Sequence, residues 1–161
     1  MTRKDPAAVS IQPAAFCDLQ AILALQYLAY QSEAALCGNP NIPPLTQTLE
    51  ELLQEYRSGI ILKAVGEGQT IVGSVRAYVM DETLYIGKLI VRPDQQGRGI
   101  GSRLLGAIEN CVQCKRCELF TSSKSIRNIA LYERLGYRIV KEKAITPDLK
   151  FVYMEKIAEP Q

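Results

Sequence analysis

The chain contains no histidine. That removes the side chain that most often moves protons near neutral pH, so acid–base chemistry must fall to other groups. An excess of one charge is also missing. Nineteen Lys and Arg stand against seventeen Asp and Glu, for a net +2, and no block of like charge occurs. Composition therefore gives no electrostatic footprint for nucleic acid or an anionic membrane. No apolar run approaches the ~20 residues of a membrane span, and the basic opening Met1-Thr-Arg-Lys-Asp-Pro6 has no apolar segment behind it. The sequence reads as a soluble, cytoplasmic protein.

What is present is a chain of 161 residues, 47% of them hydrophobic, enough for one globular domain spanning 1–161. Repeats, low-complexity tracts and long linkers are absent. Of five cysteines, Cys111, Cys114 and Cys117 form a C-x-x-C-x-x-C run that superficially resembles part of an iron–sulfur ligand set. No fourth cysteine follows closely, and Cys111 is expected on the apolar face of a helix, where a free thiol acts as a small hydrophobe. No metal site is expected, and free thiols fit a reducing compartment.

Ala8 to Ile11 reads as a short strand. Pro13 then opens a helix carrying Phe16, Leu19, Ile22, Leu23, Gln26, Tyr27 and Tyr30 at helical spacing. The prolines and glycine of Cys37 to Pro44 end it, and a shorter helix follows from about Thr46 to Tyr56. Ile60 to Val65, Thr70 to Met80 and Leu84 to Val91, joined by turns at Gly66-Glu-Gly68 and Asp81-Glu82, form an antiparallel meander. Leu104, Leu105, Ile108, Cys111 and Val112 line one face of a helix after a glycine-rich loop. A strand at Glu118 to Thr121, a helix from Ser125 to Leu135 ended by Gly136, and strands Tyr137 to Lys141 and Lys150 to Ile157 complete the order. This is a mixed α/β pattern with a parallel pair around the glycine loop.

That loop, in VRPDQQGRGIGSRLL, sets Gly97, Gly99 and Gly101 between a strand and a helix. A helix start leaves amide N–H groups unpaired and carries partial positive charge, so the amides from Gly97 to Ser102 suit a phosphate, with Arg98 and Arg103 adding charge. A dinucleotide fingerprint fails because Ser102 stands at its third glycine and Thr121 where an acid is wanted. A Walker loop lacks its Gly-Lys-Ser/Thr.

Gln96-Gly-Arg-Gly99-Ile-Gly101 resembles the pyrophosphate loop of the GNAT superfamily of N-acyltransferases, Gln/Arg-x-x-Gly-x-Gly/Ala. LIVRP directly upstream resembles the family's central strand, and SIRNIALYERLGYR its late helix; the resemblance covers nearly the whole chain. It implies a central mixed sheet of about seven strands, mostly antiparallel, with one parallel pair at a V-shaped splay and about four flanking helices. It also implies an N-acetyltransferase that moves an acetyl group from acetyl-CoA to a small-molecule or peptide primary amine, directly, within a ternary complex.

By the same resemblance, the backbone of Leu89, Ile90 and Val91 pairs with the pantetheine, while Gln96, Gly97, Arg98, Gly99, Ile100, Gly101 and Ser102 hold the pyrophosphate. Ser125 stands where the family often has Asn, seven residues before the Tyr, and Asn128 is a variant position that also reaches the cofactor. Tyr132 resembles the general acid for the departing thiolate. Tyr85 occupies the position of a common catalytic Glu, eight residues before Pro93, which leaves the base open among Glu82, Asp81 and Glu33. It also keeps alive the alternative of a non-catalytic acyl-CoA sensor. A covalent cysteine route is disfavoured because no histidine is present to lower a thiol pKa. Gln31 to Leu45 is expected to set acceptor specificity with Tyr30 as a wall, and Glu50, Glu51 and Glu55 to face water. Dimerisation is common in the family, usually at the last strand pair, and a homodimer stays open.

Overall fold

The computed structural model describes residues 8–158. Seven strands form one sheet in the order β1-β2-β3-β4-β5-β7-β6. They are β1 (Ser10–Pro13), β2 (Ile60–Val65), β3 (Ile71–Met80), β4 (Thr83–Val91), β5 (Arg116–Ser122), β6 (Arg138–Thr146) and β7 (Leu149–Ile157). Every neighbouring pair is antiparallel except β4 with β5. The four expected helices are α1 (Leu19–Ala29), α4 (Leu49–Ser58), α5 (Ile100–Glu109) and α6 (Ile126–Arg134). Two short segments, α2 (Gln31–Cys37) and α3 (Pro43–Thr46), lie between α1 and α4.

The two faces of the sheet are covered by different helices. Ile61 packs with Leu19, Ile22, Leu23 and Leu52 of α1 and α4, whereas its neighbour Leu62 joins Leu104, Leu105 and Ile108 of α5, as strand alternation requires. Ile100, Leu104, Leu105 and Ile108 are at most 2% exposed, and each such aliphatic side chain contributes roughly 1.5–3 kcal/mol by leaving water. Close packing of α5 depends on Gly73, where a Cβ would lie 3.0 Å from Leu104 Cδ1 and 3.0 Å from the Ile90 carbonyl.

Several boundaries differ from the sequence reading. Pro13 ends β1 and opens no helix, because the chain there pairs with Leu62 of β2; a short turn at Phe16–Asp18 precedes α1. Helix α4 begins at Leu49 because Thr48 and Glu51 form a reciprocal cap: Thr48 Oγ1 accepts from Glu51 N–H at 3.2 Å, and Glu51 Oε1 accepts from Thr48 N–H at 3.1 Å. Cys111 lies beyond the end of α5 and is exposed, so it lines no helix face; only Cys117 of the three spaced cysteines is buried. Glu55 does not simply face water, as described below. Among the described residues no helix is long and apolar enough to cross a membrane, and no cluster of three potential metal ligands occurs.

Candidate functional site

The parallel pair sets the geometry. β4 and β5 are in register only at Thr83–Arg116, Leu84–Cys117 and Tyr85–Glu118. Beyond that point β4 stays paired with β3 as far as Val91, while β5 stays paired with β7 as far as Ser122. Each strand keeps its outer partner and loses its inner one. The sheet splits, leaving the β5-facing edge of β4 without a ladder partner across the residues Leu89, Ile90 and Val91.

A bulge lies within this stretch. Ser74 pairs with Ile90 and Arg76 with Gly87, so β4 carries one more residue than β3 between the two pairs. Lys88 takes up the difference in a left-handed conformation, φ +50°. Strained backbone of this kind persists where surrounding structure holds it in place.

At the C-terminal end of β4 the chain runs through a turn at Pro93–Gln95 into the glycine loop and α5. Gly99 is the N-cap, at φ +80°, with no side-chain cap and no acidic residue in the first turn. The first main-chain bond of the helix runs from Arg103 N–H to the Gly99 carbonyl, 3.1 Å, so the amides from Gly97 to Ser102 precede the hydrogen-bonded ladder. A Cβ built on Gly97 or Gly99 meets nothing within 4 Å. The residues therefore fit a diphosphate group: amides outside the helical ladder, a positive helix end, and an open approach at Gly97 and Gly99. Ile100 is 2% exposed as a whole and packs its side chain into the core with Leu104 and Leu105. Arg98 donates to Gln95 Oε1 at 3.3 Å, and Gln96 Nε2 lies 3.5 Å from the Val91 carbonyl.

Across the split, α6 presents Ser125, Asn128 and Tyr132 on one face, at i, i+3 and i+7. Ser125 is buried and its Oγ donates to Glu33 Oε1 at 2.9 Å, tying the first turn of α2 to the start of α6. Asn128 is half-buried. Tyr132 is 7% exposed, and desolvation, followed by the negative charge of Glu33, pushes its phenol above the ordinary range. Tyr30 is raised too, first by desolvation and then by Tyr132 and Glu33. Tyr30, Glu33, Ser125 and Tyr132 thus form one group, and both phenols stay protonated as donors. Glu82 is not part of it. It sits 66% exposed at the start of β4, paired with Lys115 at 2.9 Å, about 30 Å of strand from Val91. Asp81 shares that turn, both residues having positive φ. Tyr85 stacks on Tyr78, with ring centroids 5.1 Å apart.

Sequence reasoning missed a buried polar network on the α1/α4 side. Arg76, 5% exposed, donates through Nη1 to Glu55 Oε2 (2.8 Å) and Gln47 Oε1 (3.0 Å), and through Nη2 to Gln26 Oε1. Gln26 is fully buried and also donates to the Pro44 carbonyl at 2.7 Å, so the network pins the α3 segment against α1. The available signal was Arg76 itself, a lone charge within the apolar strand Ile71–Met80. A cavity of about 350 Å³ opens beside this network, lined by Glu55, Arg76, Tyr78, Tyr85, Lys88, Glu118, Phe120 and Tyr153. It lies where β4 and β5 part, between Tyr85 to Lys88 of the one and Glu118 to Phe120 of the other.

The site is thus a sheet parted at its one parallel pair, with a glycine-rich helix start at the mouth. A profile of the acetyltransferase (GNAT) family matches residues 23–137, and the chain belongs to that family of acetyltransferase enzymes. Among curated proteins no sequence matches. Solved structures with the same fold include PaiA N-acetyltransferase from Thermoplasma acidophilum in complex with coenzyme A (TM-score 0.79, 16% identity, 93% of this chain and 99% of that one). The ribosomal-protein-S18-alanine N-acetyltransferase from Escherichia coli superposes with TM-score 0.78 at 17% identity, over 95% and 96% of the two chains. The spermidine/spermine N-acetyltransferase SpeG from Vibrio cholerae does so with TM-score 0.69 at 14% identity, over 94% of each. At these identities the likeness is one of fold.

Proposed function

We propose that this chain, acting as one domain, transfers the acetyl group of acetyl-CoA to a primary amine directly, within a ternary complex. The observation that carries the reading is the end of β4–β5 pairing at Tyr85–Glu118, just where β4 runs on toward an uncapped, glycine-lined helix start. The unpaired edge at Leu89 to Val91 takes the pantetheine amides as an added strand would. The amides from Gly97 to Ser102 take the diphosphate. An N–H at Ile90 or Val91 polarises the thioester carbonyl, a donor fixed before the reaction begins.

The acceptor amine attacks that carbonyl, the C–S bond breaks, and the amine's proton replaces the bond to sulfur. An alkylammonium of pKa about 10.4 must first lose a proton. Glu33 is the carboxylate of the Tyr30–Ser125–Tyr132 group and is assigned that role, directly or through water. The position of Glu82 supports no such role. Tyr132, protonated at rest, gives its proton to the leaving sulfur and regains one from the nitrogen of the attacking amine, whose remaining proton stays on the amide. A thiol of pKa about 8.5 leaves readily, so this donor accelerates the step without being indispensable. Ser125 holds Glu33, and Asn128 extends the same helix face toward the cofactor.

The reading is tested by titrating CoA into the purified protein by calorimetry, then following thiol release from acetyl-CoA over a panel of amines. Binding with amine-dependent release is expected. Absence of CoA binding refutes the whole reading, and binding without release for any amine refutes the transfer step.

A further inference from the structure

We infer that the acceptor is an amine that also carries a carboxylate beside an apolar, preferably aromatic, group, with Lys88 receiving the carboxylate. The inference rests on the acetyltransfer reading and names the substrate class of the same site.

The argument is a charge count around the cavity. Its two carboxylates are already held: Glu55 by Arg76 Nη1 at 2.8 Å and Gln47 Nε2 at 3.0 Å, and Glu118 by Arg116 Nη2 at 2.8 Å. Neither is left to recruit a cationic ligand. The two cations differ: Arg76 is held by Glu55, Gln47 and Gln26, whereas Lys88 is not held in this way. Lys88 makes no hydrogen bond or ion pair among the described residues, and its Nζ is desolvated enough to lower its pKa. Arg76 keeps Nε buried with no acceptor. Lys141, with Nζ 4.5 Å from the Tyr153 ring centre, adds positive field at the rim.

The bulge explains why Lys88 reaches this space. In a regular strand its side chain would alternate to the α5 face with Leu84 and Ile86, which pack in that core. The left-handed φ of +50° and the extra residue return it to the side of Glu55 and Arg76. Gly87 next to it leaves the room free, a Cβ there meeting nothing within 4 Å. The walls are aromatic: Tyr78 stacked on Tyr85, and Phe120 with its ring 5.4 Å from that of Tyr153. Phe120 and Tyr78 are about half exposed, at 52% and 51%, which suits an apolar group entering from solvent.

The test uses phenylalanine, 3-phenylpropionate and phenethylamine, titrated by calorimetry into wild type, Lys88→Gln and Lys88→Arg, with and without saturating CoA. Wild type is expected to bind the two carboxylates at least about tenfold more tightly than phenethylamine. Lys88→Gln should bring them within about twofold, and Lys88→Arg should restore the preference. Equal or tighter binding of phenethylamine, a preference that survives Lys88→Gln, or no binding of any probe by a protein that binds CoA overturns the inference. CoA itself is titrated into each variant. A loss of CoA affinity in Lys88→Gln with the preference unchanged assigns Lys88 to the cofactor and overturns it as well. If wild type binds no CoA, the acetyltransfer reading falls while the anion preference is still decided on the free protein.

Discussion

Replacing Glu33 by Gln keeps the shape of the side chain and removes its charge. An acceptor amine of pKa about 10.4 is free base in about one molecule in 2,500 at pH 7, and that share rises tenfold with each pH unit. A base in the site relieves the enzyme of waiting for the rare neutral form. Glu33→Gln should therefore lower kcat/KM at pH 7 by about 10²–10³. The deficit should shrink by close to tenfold per pH unit up to about pH 10. Thiol release from acetyl-CoA, followed across that range for both proteins with one amine, measures it. Glu33 also accepts the 2.9 Å bond from Ser125, so a merely structural role must be separated. Ser125→Ala removes that bond, costs about 1 kcal/mol of stability, and leaves the carboxylate in place. It should lower activity without changing the form of the pH profile. A Glu33→Gln deficit that is constant with pH, or matched by Ser125→Ala, refutes the assignment.

Tyr132→Phe should slow thiol release by about 10- to 100-fold without abolishing it, because the thiolate is a fair leaving group; unchanged kcat in a folded variant removes Tyr132 from the reaction. Gly99→Ala places a Cβ at φ +80° in open space, so about 1–2 kcal/mol of backbone strain should accompany at least about a tenfold loss of CoA affinity, and an unaltered CoA titration contradicts the proposed diphosphate site. Leu105→Ala, at a fully buried position, should cost about 2–5 kcal/mol and lower Tm by at least about 5 °C; a smaller shift would mean that α5 packs less closely than described. Asp18 accepts from Lys63 Nζ at 2.7 Å, and that bond chiefly holds its carboxyl below the usual value. The resulting stabilisation is complete above the unfolded pKa of about 3.9 and fades as pH falls through the lower folded one. The gap in urea midpoint between wild type and Asp18→Asn should therefore be present at neutral pH and close in acid, and a pH-independent gap refutes the linkage.

The succession of strands and helices, the meander and the late helix were legible because each has a local cause, whereas the place of β7 between β5 and β6 has none. Periodicity marks the faces of α5, Gly136 ends α6 with φ +97°, and Asp81-Glu82 makes a tight turn with both residues left-handed. Cys111 was misplaced for the opposite reason: α5 stops at Glu109, and apolar spacing alone carries a helix past its end. The acids that dominate its segment make Glu55 read as a solvated residue. Yet it lies three residues after the fully buried Leu52 on α4, a spacing that turns it toward the sheet, where Arg76 required a partner.

What no local reading supplies is the point at which two strands part. β4 and β5 are each long enough to pair well beyond Tyr85 and Glu118, and nothing in either strand says that they stop there. The stop follows from competition, since β3 holds β4 through Val91 and β7 holds β5 through Ser122, while twist carries the two pairs in different directions. The bulge arises in the same way, as a mismatch in residue number between β3 and β4 that exists only once they are registered. Both proposals draw on these two non-local events: the unpaired edge proposed to receive the acyl carrier, and the lysine turned into the cavity between the strands. Deleting Lys88 to restore regular pairing should therefore impair the acceptor side more than the α5 helix start, which lies beyond Val91 and outside the mismatch.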